Sequence, residues 1–134
     1  MEMVIDFPGG AKVDAHFGPY TIQTDQKTAD GGEGSAPTPF EVFLASLGTC
    51  AGIYVLGFCR KRGIPTEGIR IIQHSHPNAT TGMVEKVELE IQVPPSFPRE
   101  YYSALIRSAE LCKVKKTLEQ PPQFEIVTKE IQGS

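Results

Sequence analysis

A chain of 134 residues, 40% apolar and 22% charged, is long enough for one hydrophobic core and short for two. It is therefore expected to be a single globular domain over residues 1–134, and a disordered chain is excluded. A formal charge of −3 without a basic block argues against nucleic acid as a partner. Three cysteines, sparsely placed, do not make a secreted disulfide scaffold, and MEMVIDFPGG lacks the basic and apolar regions of a leader. A cytoplasmic protein is the expectation.

The first forty residues predict a β-meander. VIDF, AKVDAHFG and YTIQTD carry β-formers between glycine and proline punctuation. KTADGGEGSAPTP then reads as a loop. Its GGEG segment, Gly31 to Gly34, lacks the lysine and hydroxyl residue of a phosphate loop.

A central helix follows. Thr38, Pro39 and Glu41 spell a capping box with proline at the first helical position. Arg60, Lys61 and Arg62 suit a helix C-terminus, and Gly63 supplies the left-handed cap. Residues 42–59 carry no charge, which approaches a transmembrane composition. Ser46, Thr49, Tyr54 and three glycines (Gly48, Gly52, Gly57) dilute it, so the expectation is a core helix buried on nearly all sides, with no membrane contact.

GIRIIQHSH and MVEKVELEIQV alternate with period two and predict paired strands joined by PNATTG. His74 and His76 share one strand face but lack a carboxylate or cysteine pair to complete a metal site, and no metal or other cofactor is expected. Pro94, Pro95 and Pro98 end the sheet. Ser96 is placed to cap a helix reaching Cys112, VKKTL adds a short helical turn, and FEIVTKEI predicts a final strand.

The cysteines are the candidate chemistry. Cys59 follows Cys50 by nine residues, about 180° around the helix and ~13 Å along it, so those two cannot join without melting the helix. Cys112 is the partner left within the chain. A packed small hydrophobe remains the ordinary role of each.

One order of motifs goes further. G-G, then P-T-P-x-E-x-x-L-A-S-L-x-x-C, a helix ending K-R-G-I, strands, and C-x-V-x-x-T-L with F-x-I after it resembles the OsmC/Ohr family over nearly all the chain from Gly31 onward. The resemblance implies an α+β fold: antiparallel sheets wrapped around two central helices in an intertwined homodimer. It also implies a thiol peroxidase that reduces organic hydroperoxides without metal, flavin or haem. Cys50 would be the attacking thiol and Cys112 its disulfide partner, with a dithiol such as a lipoylated protein as reductant. The alternative is a binding protein of the same fold that holds a small hydrophobic ligand in an inter-subunit pocket.

Peroxidases of the family use an N-terminal arginine, oriented by a glutamate near the start of the central helix. Here no arginine precedes Arg60, Phe40 stands at the glutamate position, and Glu41 is one place later. Lys113 follows the second cysteine where relatives often have proline. Glu41 and Lys113 are thus supporting candidates, with Lys12, His16, Lys27 and Arg107 as further sources of a cation, and the chain reads as a divergent branch.

Overall fold

The computed structural model describes residues 1–133, an α+β chain of five strands and three α-helices. The chain divides into two compact units. Met1–Thr49 with Ile71–Glu90 form one, and Cys50–Arg70 with the described residues from Ile91 onward form the other.

In the first unit, β1 (Val4–Gly9), β2 (Lys12–Phe17) and β3 (Tyr20–Thr24) make an antiparallel meander in the order β1-β2-β3. Its register sets Asp6 against Asp14 and His16 against both Val4 and Thr21. Because neighbours along a strand face opposite ways, one face carries Asp6, Asp14, His16, Thr21 and Gln23, and the other Ile5, Val13, Ala15 and Ile22. The register slips between Asp6 and Gly9, where Pro8 has no N–H to give the ladder.

The following loop is fastened by Asp25, which is 1% exposed. Its carboxylate accepts hydrogen bonds from the N–H of Gln26 (2.7 Å), Glu33 (3.3 Å) and Ser35 (3.0 Å), and from the Ser35 hydroxyl (2.6 Å). These bonds, that of the Ser35 hydroxyl foremost, outweigh burial and lower its pKa to about 2. Gly32 lies so close to the Gln26 carbonyl that no side chain fits there.

Helix α1 (Pro39–Lys61) begins with the reciprocal capping box: Thr38 N–H donates to Glu41 Oε1 (2.9 Å), and Glu41 N–H to Thr38 Oγ1 (3.2 Å). It ends on Gly63 at φ +63°, whose N–H bonds the Arg60 carbonyl. β4 (Arg70–Pro77) and β5 (Val84–Gln92) pair as a hairpin, the antiparallel arrangement that so short a connection demands. Asn78 Oδ1 accepts the N–H groups of Thr80 and Thr81 and shapes the turn. Gln73 on β4 donates to the Leu44 carbonyl of α1 (2.8 Å), passing the bare face of Gly48.

In the second unit, α2 (Tyr102–Ala109) and α3 (Lys113–Glu119) accompany the C-terminal half of α1. Its buried apolar residues are Ala51, Val55, Phe58 and Cys59 from α1, with Phe97, Leu105 and Cys112. Burying Phe58 or Leu105 contributes about 2 kcal/mol each. The Arg62 guanidinium lies 3.6 Å over the Phe58 ring, and the Ser108 hydroxyl donates to the Tyr54 carbonyl (3.2 Å), tying α2 to α1.

Three expectations are corrected. α1 is long and apolar enough to cross a membrane, with mean hydropathy 1.9, yet only 28% of that window is buried. Its buried residues form a single stripe, and Phe40 and Ile53 stand exposed, so burial on nearly all sides does not hold within one chain. The helix predicted from Ser96 starts later, because Pro98 bars Phe97 from helical backbone; a single 3₁₀ turn (Arg99–Tyr101) leads into α2. FEIVTKEI forms no strand, and its Phe124, Ile126, Val127 and Ile131 are exposed. A lone segment has no strand to pair its backbone groups.

Candidate functional site

Cys112 does not close α2, as its apolar spacing suggests. The chain leaves α2 through a tight turn in which Leu111 N–H bonds the Ser108 carbonyl (3.1 Å) and Cys112 N–H the Ala109 carbonyl (3.3 Å). Cys112 then adopts φ −46°, ψ 122° and becomes the N-cap of α3, its sulfur accepting the Lys115 N–H at 3.5 Å. The first N–H groups of a helix have no partner inside it. Here sulfur takes them.

Cys50 meets Cys112 at this place. All three cysteines are free thiols; Cys50 is half-buried, Cys112 is 3% exposed, and Cys59 is wholly buried. The Cys112 thiol hydrogen-bonds Cys50, and the N–H groups of Val114 and Lys113 point to the Cys50 sulfur. The Val114 N–H is the main cause that holds Cys50 below its ordinary pKa. Burial opposes it, and the Cys112 thiol, the Lys113 N–H and the Lys113 ammonium add to it. Cys112 moves the other way: burial pushes it up, the Lys115 N–H resists, and its bond to Cys50 raises it again. The pair is therefore asymmetric, the Cys50 thiol shifted down and the Cys112 thiol shifted up. Cys59 is raised by burial and has no thiol partner to set it apart from a packed hydrophobe.

The supporting candidates separate. Lys113 contributes both an N–H and a charge, neither of which a proline at that place provides. Glu41 stays in its capping box, which lowers its pKa through the Thr38 N–H foremost. Nine helical residues put it about 13 Å from Cys50 along the axis and on the opposite side. Lys12 pairs with Glu33 (3.3 Å) and His16 with Asp6 (3.1 Å). Lys27 acts on Glu41. His76 faces Glu88 at 3.5 Å.

The Val114 amide at the Cys50 sulfur is the contact that sequence reasoning misses. The signal was the short VKKTL helix immediately after Cys112, whose N-terminus has to lie against that cysteine.

A cavity of about 530 Å³ also opens in the second unit, lined by Tyr54, Phe58, Ala104 and Leu111, with Arg62 and Arg107 among its polar groups. Tyr54 and Gly57, four and seven residues beyond Cys50, place it along the α1 face that bears Cys50.

An α+β chain that presents two contacting thiols, one on a long apolar helix and one at the start of a short helix, defines a class of candidate thiol-redox proteins. The family model for OsmC-like protein matches residues 32–127, and the chain belongs to that family. Solved structures share its fold. A Psychrobacter arcticus 273-4 protein, provisionally described as osmotic stress induced and a detoxification response protein, is 20% identical with a TM-score of 0.73, over 86% of this chain and 85% of that one. The organic hydroperoxide resistance protein OsmC of Legionella pneumophila is 18% identical with a TM-score of 0.57, over 88% and 89%. The organic hydroperoxide resistance protein OhrB of Bacillus subtilis is 16% identical with a TM-score of 0.52, over 90% and 93%. No curated protein sequence matches.

Proposed function

We propose that this chain is a thiol peroxidase that reduces organic hydroperoxides through Cys50 and Cys112. The observation that carries the reading is the contact between the two thiols with opposite pKa shifts, Cys50 down and Cys112 up. Membership of the OsmC-like family, and the likeness to organic hydroperoxide resistance proteins, supports it.

The Cys50 thiolate attacks the terminal oxygen of ROOH and breaks the O–O bond. Sulfur is oxidised to sulfenic acid, and the alkoxide leaves as ROH with a proton from solvent. Cys112 gives up its proton, attacks the sulfenic sulfur and expels water, leaving a Cys50–Cys112 disulfide. A dithiol, in this reading a lipoylated protein, exchanges with that disulfide and restores both thiols as it becomes a disulfide itself. In place of the family arginine, the Val114 and Lys113 amides and the Lys113 ammonium hold the thiolate.

The chain in this reading works as one cytoplasmic domain in a homodimer. Exposed Ile5 and Phe7 in the first unit, and exposed Ile53, Phe124 and Ile126 in the second, each offer apolar surface for a second copy to cover. A second reading, a carrier of a small hydrophobic ligand, draws on the apolar cavity beside Tyr54 and Phe58.

One equivalent of cumene hydroperoxide added to reduced protein separates the readings. The peroxidase loses two thiols rapidly, and mass spectrometry finds a Cys50–Cys112 link. Three unchanged thiols overturn it in favour of the carrier. Sedimentation at micromolar concentration tests the dimer independently.

A further inference from the structure

The polar face of the meander holds a second constellation, remote in function from the thiols. Asp6 and Asp14 stand directly opposite each other on β1 and β2. Like charges in that position repel and weaken a sheet. His16, two residues from Asp14 on β2, projects from the same face, and its Nε2 lies 3.1 Å from both oxygens of Asp6. Its other nitrogen, Nδ1, lies 3.0 Å from Thr21 Oγ1 on β3. One donor atom from each of Asp6, Asp14 and His16 falls within 4.8 Å of the others.

We propose that Asp6, Asp14 and His16 form a binding site for a divalent first-row transition ion of the zinc or manganese type. Two ligand atoms bound to one such ion at ~2.0–2.2 Å sit about 3.0–3.4 Å apart. The Asp6 oxygens and His16 Nε2 already stand at that separation. Asp14 makes no side-chain hydrogen bond or ion pair among the described residues, so its carboxylate can turn toward the ion without breaking a contact. An imidazole with two carboxylates is a mixed N/O set, which favours these ions over calcium or magnesium.

Thr21 gives the site two settings. With a proton on Nε2, the imidazole donates to Asp6 and the Thr21 hydroxyl donates to Nδ1. With a metal on Nε2, Nδ1–H donates to Thr21 Oγ1, the outer hydrogen bond that fixes the tautomer of a ligating histidine. The ion takes the place of the Nε2 proton, which moves to Nδ1; it also neutralises the facing carboxylates and joins β1 to β2. Lys12, the nearby cation on the same face, is turned to Glu33. Nothing in this site depends on the peroxidase reading.

The test uses the full chain. Mn²⁺, which thiols bind poorly, maps the site by paramagnetic broadening of amide NMR signals. The signals of residues 6, 14, 16 and 21 are expected to broaden first. Zn²⁺ affinity is then followed on the His16 imidazole protons, which ion binding at the thiols leaves in place. Asp14→Asn is expected to weaken Zn²⁺ binding at least tenfold, and Thr21→Val about tenfold. Circular dichroism establishes that each variant keeps its sheet, and if one unfolds the other decides. Broadening centred elsewhere, or Zn²⁺ binding equal in parent and folded variant, overturns the site.

Discussion

Asp25 and Cys50 solve one problem in two regions of the molecule. Each holds an acid against burial by aiming backbone N–H groups at it. Asp25 takes three N–H groups and a hydroxyl and has a pKa of about 2, so its carboxylate stays charged through the neutral range. Cys50 takes the N–H groups of Val114 and Lys113 and starts from a thiol pKa of ~8.5. The same device makes an anchor of the carboxylate and, in the proposed peroxidase, a nucleophile of the thiol. The starting pKa, rather than the number of donors, decides which.

The largest break in that comparison comes from removing the nucleophile. Cys50→Ser is expected to abolish peroxide consumption, a loss of at least about 10³-fold, because a serine hydroxyl is not ionised near neutral pH. Cys112→Ser keeps the first oxidation and stops there. Its product is a Cys50 sulfenic acid that a dimedone probe traps, with no disulfide. Equal loss in both variants at the first step would remove the division of labour between the thiols.

Removing the anchor acts on stability instead. Asp25→Ala strands the Glu33 and Ser35 donors in the loop and is expected to lower Tm by roughly 5 °C or more, measured by circular dichroism. The pH dependence has a definite sign. The folded pKa of about 2 lies below the unfolded value of ~3.9, so the stabilisation is whole above about pH 4 and is lost as pH falls from there toward 2. Asp25→Asn removes the ionising group and flattens that stretch of the curve.

Cys59 tests whether burial alone makes a thiol reactive. It is wholly buried and its pKa is raised. Cys59→Ser puts a hydroxyl in an apolar site at a cost of about 1–3 kcal/mol. The peroxide titration of Cys50 and Cys112 is expected to stay at two thiols per chain.

The parts of the molecule legible in the sequence are those whose cause lies within a few residues. The capping box of Thr38 and Glu41, the Gly63 stop, the meander and the β4–β5 hairpin each follow from local pattern. Asp25 was not legible, because two of its partner residues, Glu33 and Ser35, are brought to it by a loop whose path no periodicity encodes. The end of α2 was misplaced for a related reason. Cys112 continues the apolar spacing of Leu105 and Ser108, yet its backbone turns out of the helix and its sulfur starts the next one. FEIVTKEI has the alternation of a strand and, within one chain, no strand to pair with.

The finest test of the comparison removes a single donor. Val114 is the second residue of α3, a position in the first helical turn where proline is tolerated because no intrahelical bond uses its N–H. Val114→Pro deletes the N–H that most lowers the Cys50 pKa, an N–H that also lowers the Cys112 pKa, and keeps the Lys113 charge. Iodoacetamide alkylation of Cys50, followed by mass spectrometry across pH, is expected to slow several-fold at neutral pH, with its midpoint moved to higher pH. Cys59 serves as the internal standard, since none of its surroundings changes. If Cys50 alkylates as before, the Lys113 ammonium, rather than the amides at the start of α3, holds the thiolate. Lys113→Gln then becomes the variant that slows it, and Cys50 ceases to be a counterpart of Asp25.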